Sequence, residues 1–86
     1  MNNKVLIKLI VPEIDDDFDI FIPVNEVIWR IKKMLVKCIN DLDGVNLDMN
    51  KDYLLIKKDN NRVYNNNEIV IDTDIRNTSE LLFISK

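Results

Sequence analysis

The side chains that could do chemistry are few, and their types and spacing exclude most kinds of activity. The chain has no histidine and one cysteine, Cys38. A nucleophile–base pair of the Cys–His or Ser–His kind therefore cannot be assembled. One thiol also rules out an internal disulfide and a multi-cysteine metal site. Cys38 falls on the apolar stripe of a helical pattern, where a buried structural thiol is the expected reading. Asp15, Asp16, Asp17 and Asp19 invite a Ca²⁺ reading. They lack the central Gly and the distal bidentate Glu of an EF-hand loop, so a solvated turn is expected. Gly44 is the only glycine, which leaves no material for a Gly-rich phosphate loop. No catalytic residue, metal or cofactor is expected, and the chain reads as a binding protein, not an enzyme.

Charge narrows the partners. Formal net charge is −3, and clustered positive charge is what phosphate binding requires. The one dense basic stretch, Arg30-Ile31-Lys32-Lys33 with Lys37, lies on the outer face of the helical pattern and reads as a solvated face. No nucleic-acid partner is expected. The Met1-Asn2-Asn3-Lys4 start with its short apolar run is broken by Lys8 and has no small-residue cleavage site, so it is not read as a signal sequence. No apolar stretch approaches the ~20 residues that span a bilayer. A cytoplasmic protein without membrane insertion is the expectation, and the Asn77-Thr78-Ser79 glycosylation match is then accidental.

The elements that must position any site are set by periodicity. Val5–Val11 is short, β-branched and stopped by Pro12, which reads as a strand. Phe18–Ile22 suits a second strand paired with it as a hairpin across the acidic connection. Pro23 reads as the first turn of a helix. Apolar residues then recur at Val24, Val27, Ile28, Ile31, Leu35, Cys38, Ile39 and Leu42, at intervals that keep one face apolar. Asp43-Gly44 supplies the stop. Tyr53–Lys57 forms a third strand, Arg62–Tyr64 a short fourth, and Glu80–Ile84 the last, with Ile69–Ile71 between two polar turns. At 86 residues this is one small domain, spanning 1–86. The fold class is α+β: a mixed sheet in the order β-β-α-β-β-β with one long helix packed on one face. The crossover lets the first and last strands meet as central neighbours.

This order resembles the ubiquitin-like β-grasp. The likeness is carried by Tyr53-Leu54-Leu55-Ile56, Val63, Asn66-Asn67-Glu68-Ile69-Val70 and the run from Asp74 to Phe83. It implies Leu54, Ile56, Val70, Ile75, Leu81 and Phe83 as core. The strand-to-helix entry Ile22-Pro23-Val24-Asn25-Glu26-Val27-Ile28 resembles that of the small bacterial YukD/EsaB-like proteins, cytosolic ubiquitin-like components of type VII (WXG-type) secretion systems. Conjugating and sulfur-carrying relatives use a Gly-Gly tail, whereas this sequence ends Phe83-Ile84-Ser85-Lys86. The resemblance therefore implies a non-conjugated adaptor whose partner is a membrane or ATPase component of the secretion apparatus. A degenerate sulfur carrier and a homodimeric β-grasp module of another pathway are the alternatives.

The expected docking surface is the open face of the sheet, through Leu6, Leu55, Leu82 and Ile84. Leu55, Leu82 and Ile84 match ubiquitin's hydrophobic recognition patch, and an exposed aliphatic cluster marks an interface with a partner or a second copy. A second surface is expected on the helix. At about 100° per residue, Trp29 falls roughly 140° from the centre of the apolar stripe, with Val36 beside it. Tryptophan is enriched among interface hot spots.

Overall fold

A computed structural model describes residues 3–86. Met1 and Asn2, the start of the stretch set aside as a leader, lie outside the described residues. Four strands and one helix run in the order β1 (Lys4–Val11), β2 (Asp16–Pro23), α1 (Ile28–Asp43), β3 (Tyr53–Lys57) and β4 (Glu80–Ser85). The spatial order is β2-β1-β4-β3. β1 pairs antiparallel with β2 and parallel with β4, while β3 pairs antiparallel with β4. The first and last strands are therefore the central pair, and the sheet is mixed.

Strand residues alternate between faces. On the inner face Ile7, Leu9 and Val11 of β1 meet Ile20 and Ile22 of β2, Leu81 and Phe83 of β4, and Tyr53 and Leu55 of β3, all buried. Ile28, Ile31, Leu35 and Ile39 of α1 close over them. The Tyr53 ring stacks on Phe83 with centroids 4.6 Å apart, a favourable aromatic arrangement.

Two of the expected core residues are on the wrong side. Leu54 and Ile56 face outward and are only half-buried, whereas Leu55 is completely buried opposite Phe83. Tyr53-Leu54-Leu55-Ile56 is apolar throughout, so it carries no alternation to say which parity faces in; a one-residue slip exchanges the faces. The stacking of Tyr53 on Phe83 sets the parity instead. Val70, Ile75, Leu81 and Phe83 are buried as expected.

The helix begins at Ile28, not at Pro23, which ends β2. Residues 24–26 form a turn and Val27 is extended, held there by a distant segment: Val27 bridges Ile69, and the Val70 and Ile71 N–H groups donate to the Glu26 and Val24 carbonyls at 3.0 and 2.8 Å. The same segment caps the helix. The N–H groups of Ile28 and Trp29 donate to the Glu68 and Asn66 carbonyls at 2.8 and 3.1 Å, satisfying donors that a helix start leaves unpaired. At the other end Gly44 adopts φ 66° and donates to the Asn40 carbonyl at 3.0 Å, the left-handed stop that glycine permits without strain. Leu42, the last member of the apolar stripe, lies on the exposed side of this final turn.

Arg62–Tyr64 does not make a strand: it contributes one bridge, Val63 to Ile56, and Ile69–Ile71 leads into a short 3-10 turn, Val70–Asp72. What holds this long connection is polar. The Asp74 carboxylate accepts from the Tyr64 hydroxyl at 2.6 Å, the Arg62 guanidinium at 3.2 Å, Asn60 Nδ2 at 3.3 Å and the Lys57 ammonium at 3.4 Å. Arg62 also reaches Glu68 at 3.2 Å and lies over the Tyr64 ring. Charge-assisted bonds of this kind are the stronger class. The Tyr64 hydroxyl bond leads in drawing the Asp74 pKa down to about 2, with Asn60 and Lys57 adding to it against the opposing effect of burial. Burial first, then the same hydrogen bond to Asp74, pushes the Tyr64 phenol up.

Leu55→Ala should cost about 2–5 kcal/mol in urea unfolding, the range for emptying a core leucine site, while Leu54→Ala should cost well under half of that. Asp74 has a folded pKa of about 2 against an ordinary 3.8, so its contribution is complete above 3.8 and is lost as pH falls from there through 2. Asp74→Asn should therefore lower stability near neutrality, by roughly 1–2 kcal/mol for a partly solvated charged network. It should also flatten the acid limb, as read from urea midpoints across that pH window.

Candidate protein-docking surfaces

Among the described residues no helix covers the outer face of the sheet. Its side chains form rows, because the register sets Ile10 beside Leu82 and Leu82 beside Ile56 across three strands. Ile84 lies opposite Leu54 in the next row, and Val63 extends the first row past the β3 edge through its bridge to Ile56. Five of these six aliphatic residues are half-buried by one another, and Val63 is 50% exposed. A charged row, Asp19, Lys8 and Glu80, comes next. Beyond it Leu6 pairs with Phe21, which is 57% exposed. The face thus has a six-residue aliphatic patch at one end, a two-residue apolar spot at the other, and a polar divider between them.

Leu82 and Ile84 stand in the patch as expected, while Leu6 stands apart in the smaller spot. Leu55 does not belong to this surface; the parity of β3 buries it and presents Leu54 and Ile56 instead. Ile10, Leu54, Ile56 and Val63 are not among the contacts expected from sequence. A signal for Ile10 exists, since it shares the parity of Leu6 and Lys8 on β1. For β3 there is none, because its four leading residues are all apolar.

On α1 the two expected contacts separate. Trp29 is 41% exposed, but Val36 is 2% exposed. Val36 lies well off the sheet-facing stripe, so the sheet cannot cover it. Its cover comes from the 45–53 segment, which folds back along this flank of the helix. Asn40, one turn beyond Val36, clamps that segment: its side chain accepts from the Leu47 N–H at 2.8 Å and donates to the Leu47 carbonyl at 3.1 Å. The Tyr53 hydroxyl donates to the Asp48 carbonyl at 3.1 Å and fixes the far end. Between helix and segment runs a groove of about 400 Å³, in which Val36 and Trp29 meet Met49 and Tyr53. Burial lowers the pKa of the Lys32 ammonium beside it, Asp52 pulls the other way, and Lys86 adds to the lowering.

The other chemistry-bearing residues are dispersed. Cys38 is half-buried against the core. Asp15 at the β1–β2 turn and Asp16, Asp17 and Asp19 along β2 are exposed, and no cluster of three or more metal-ligating side chains occurs among the described residues. The Asn77 side-chain oxygen accepts from the Leu6 N–H at 2.8 Å, continuing the β1–β4 junction. No helix among the described residues is long and apolar enough to cross a membrane.

No family model matches the sequence, and no curated protein matches it. Solved structures do match the fold. A chain of the toluene 4-monooxygenase HD complex with the inhibitor 4-bromobenzoate superposes with a TM-score of 0.77 at 4% identity, over 96% of this chain and 99% of that one. A chain of the MycP5-free ESX-5 inner membrane complex gives 0.69 at 11% identity, over 99% of this chain and 21% of that one. The ubiquitin-like domain of Plasmodium falciparum Dsk2 gives 0.71 at 11% identity, over 96% of this chain and 99% of that one. At such identities the likeness is one of architecture, and with the mixed sheet, its strand order and its single covering helix it makes this a ubiquitin-like β-grasp fold.

Proposed function

We propose that the protein is a cytoplasmic ubiquitin-like adaptor that binds another protein through the open sheet face and performs no chemistry of its own. The observation that carries this reading is the contiguous patch of Ile10, Leu54, Ile56, Val63, Leu82 and Ile84 on the face of the sheet that no helix among the described residues covers. Apolar side chains set side by side across three strands gain from burial at roughly 25 cal/mol per Å², and a partner is what supplies it. The charged row of Asp19, Lys8 and Glu80 borders the patch and limits the docked area on that side.

The proposed setting is a type VII secretion apparatus, with a membrane or ATPase component as the partner. Two things support it: the resemblance of the 22–28 entry to the YukD/EsaB-like proteins, and the presence of a matching fold within a chain of the ESX-5 inner membrane complex. A second reading has its own support. The match to a chain of the toluene 4-monooxygenase HD complex covers nearly the whole of both chains, which favours a small accessory subunit of an enzyme complex. Both readings use the sheet face as the contact.

Affinity capture from the native cells should separate them, comparing the unaltered chain with a Leu82→Asp/Ile56→Asp variant shown by circular dichroism to be folded. Retrieval of a secretion-system membrane or ATPase component, reduced at least about tenfold by the variant, is the expected result. Retrieval of oxygenase subunits in its place would move the protein to the second setting. Equal recovery by both chains would remove the sheet face as the docking surface. Recovery of this chain alone would leave a homodimer through the same patch.

A further inference from the structure

We propose that the groove between α1 and the 48–53 loop is a second, independent docking site, and that its occupant is an acidic peptide segment of a partner carrying one large apolar anchor. The inference stands apart from the sheet-face reading, because the groove lies on the helix side of the molecule.

The groove has two kinds of lining in a definite arrangement. Its floor is apolar: Val36 at the bottom, with Trp29 41% exposed and Met49 45% exposed on either side. Two large hydrophobic side chains left this open at the mouth of one groove of about 400 Å³ offer a seat for a single anchoring side chain. The groove also carries Lys32, Lys33 and Lys51, against the single carboxylate of Asp52. That carboxylate is already paired with Lys86 at 3.5 Å.

The positive charge of these lysines is poorly compensated from within. Lys32 is hydrogen-bonded to a neutral group, the Asn66 side-chain oxygen, at 2.7 Å, and shares the attraction of Asp52 with Lys86. Lys51 reaches Glu13 only at 4.0 Å, both side chains being well solvated. Among the described residues Lys33 has no ion-pair partner. Arg30, next to the tryptophan, stacks over its ring at 5.2 Å, but its own charge is met by Glu26 at 3.2 Å, so the field comes from the lysines. A chain of net charge −3 thus concentrates positive charge around one apolar groove. The complement is carboxylates flanking an apolar side chain.

Nucleic acid fits this surface less well. A phosphate backbone is recognised by charge along a track several phosphates long, and the rest of this acidic chain repels it. An anionic membrane likewise needs a broad basic plane, whereas these lysines are gathered around one groove. A peptide with one anchor and a few carboxylates matches the groove in size and sign.

The test uses the full chain as bait for a random-peptide display library, followed by titration with the enriched peptides made synthetically without tryptophan. Trp29 is the only tryptophan, so its fluorescence reads occupancy of the groove directly. Enriched sequences should combine Asp or Glu with one Phe, Leu, Ile or Met and should shift Trp29 emission saturably. Lys33→Glu/Lys51→Glu, two exposed positions, should weaken that binding at least about tenfold, equivalent to 1.4 kcal/mol. Leu82→Asp, on the opposite layer, should leave it unchanged. The proposal is overturned if enrichment favours neutral or basic sequences or yields none. It is equally overturned if the charge-reversed chain binds as well as the unaltered one. A Trp29 signal that saturates with phosphatidylserine vesicles or single-stranded oligonucleotide, and not with the peptides, would overturn it too.

Discussion

Strand β4 is paired on both sides, parallel to β1 and antiparallel to β3, and the other features of the fold depend on that double register. Setting Leu9 against Leu81 and Leu55 against Phe83 aligns the inner side chains of three strands under one helix. Because side chains alternate, the same alignment brings Ile10, Leu82 and Ile56 into one row on the outside, with Leu54 and Ile84 in the next. The core and the docking patch are two sides of a single set of backbone hydrogen bonds. A slip of one residue would lose both at once.

The second organising feature is the long return from β3 to β4. It has little regular structure, yet it caps the helix through the Glu68 and Asn66 carbonyls and holds residues 24–27 in a turn that keeps them out of the helix. Its own shape rests on a charged clasp, with Asp74 at the centre of Tyr64, Arg62, Asn60 and Lys57. The helix is thereby fixed at its start by a segment some forty residues later in the chain, and at its end by Gly44. The Asn40 clamp on Leu47 then lays the next segment along the flank and shapes the groove beside Trp29. The groove therefore depends on a loop placed by polar contacts, whereas the sheet patch takes only Val63 from outside the strands.

How much of this is legible in the sequence differs by element, for physical reasons. α1 is legible because its apolar spacing repeats over several turns, and β1 because Val5–Val11 is a short, largely β-branched run stopped by Pro12. The central pairing of the first and last strands comes from the crossover. The parity of β3 is not legible, since Tyr53-Leu54-Leu55-Ile56 presents apolar atoms on both faces; hence the sequence reading puts Leu55 outward and Leu54 and Ile56 inward, the reverse of their places. Val36 is misplaced because its cover comes from a loop, and helical periodicity reports only the face turned to the sheet. The Asp74 clasp joins residues 57 to 74 through side chains that read locally as turn formers. The late start of α1 depends on partners some forty residues away.

The register of β4 is the claim on which the two-faced account stands, and methyl–methyl nuclear Overhauser contacts test it most directly. The account predicts contacts linking Ile10 with Leu82, Leu82 with Ile56, and Leu54 with Ile84, and contacts from Leu55 to the helix methyls of Ile31 or Leu35. Contacts from Leu54, Ile56 or Leu82 to those helix methyls, with Leu55 joined to the outer set, would contradict it.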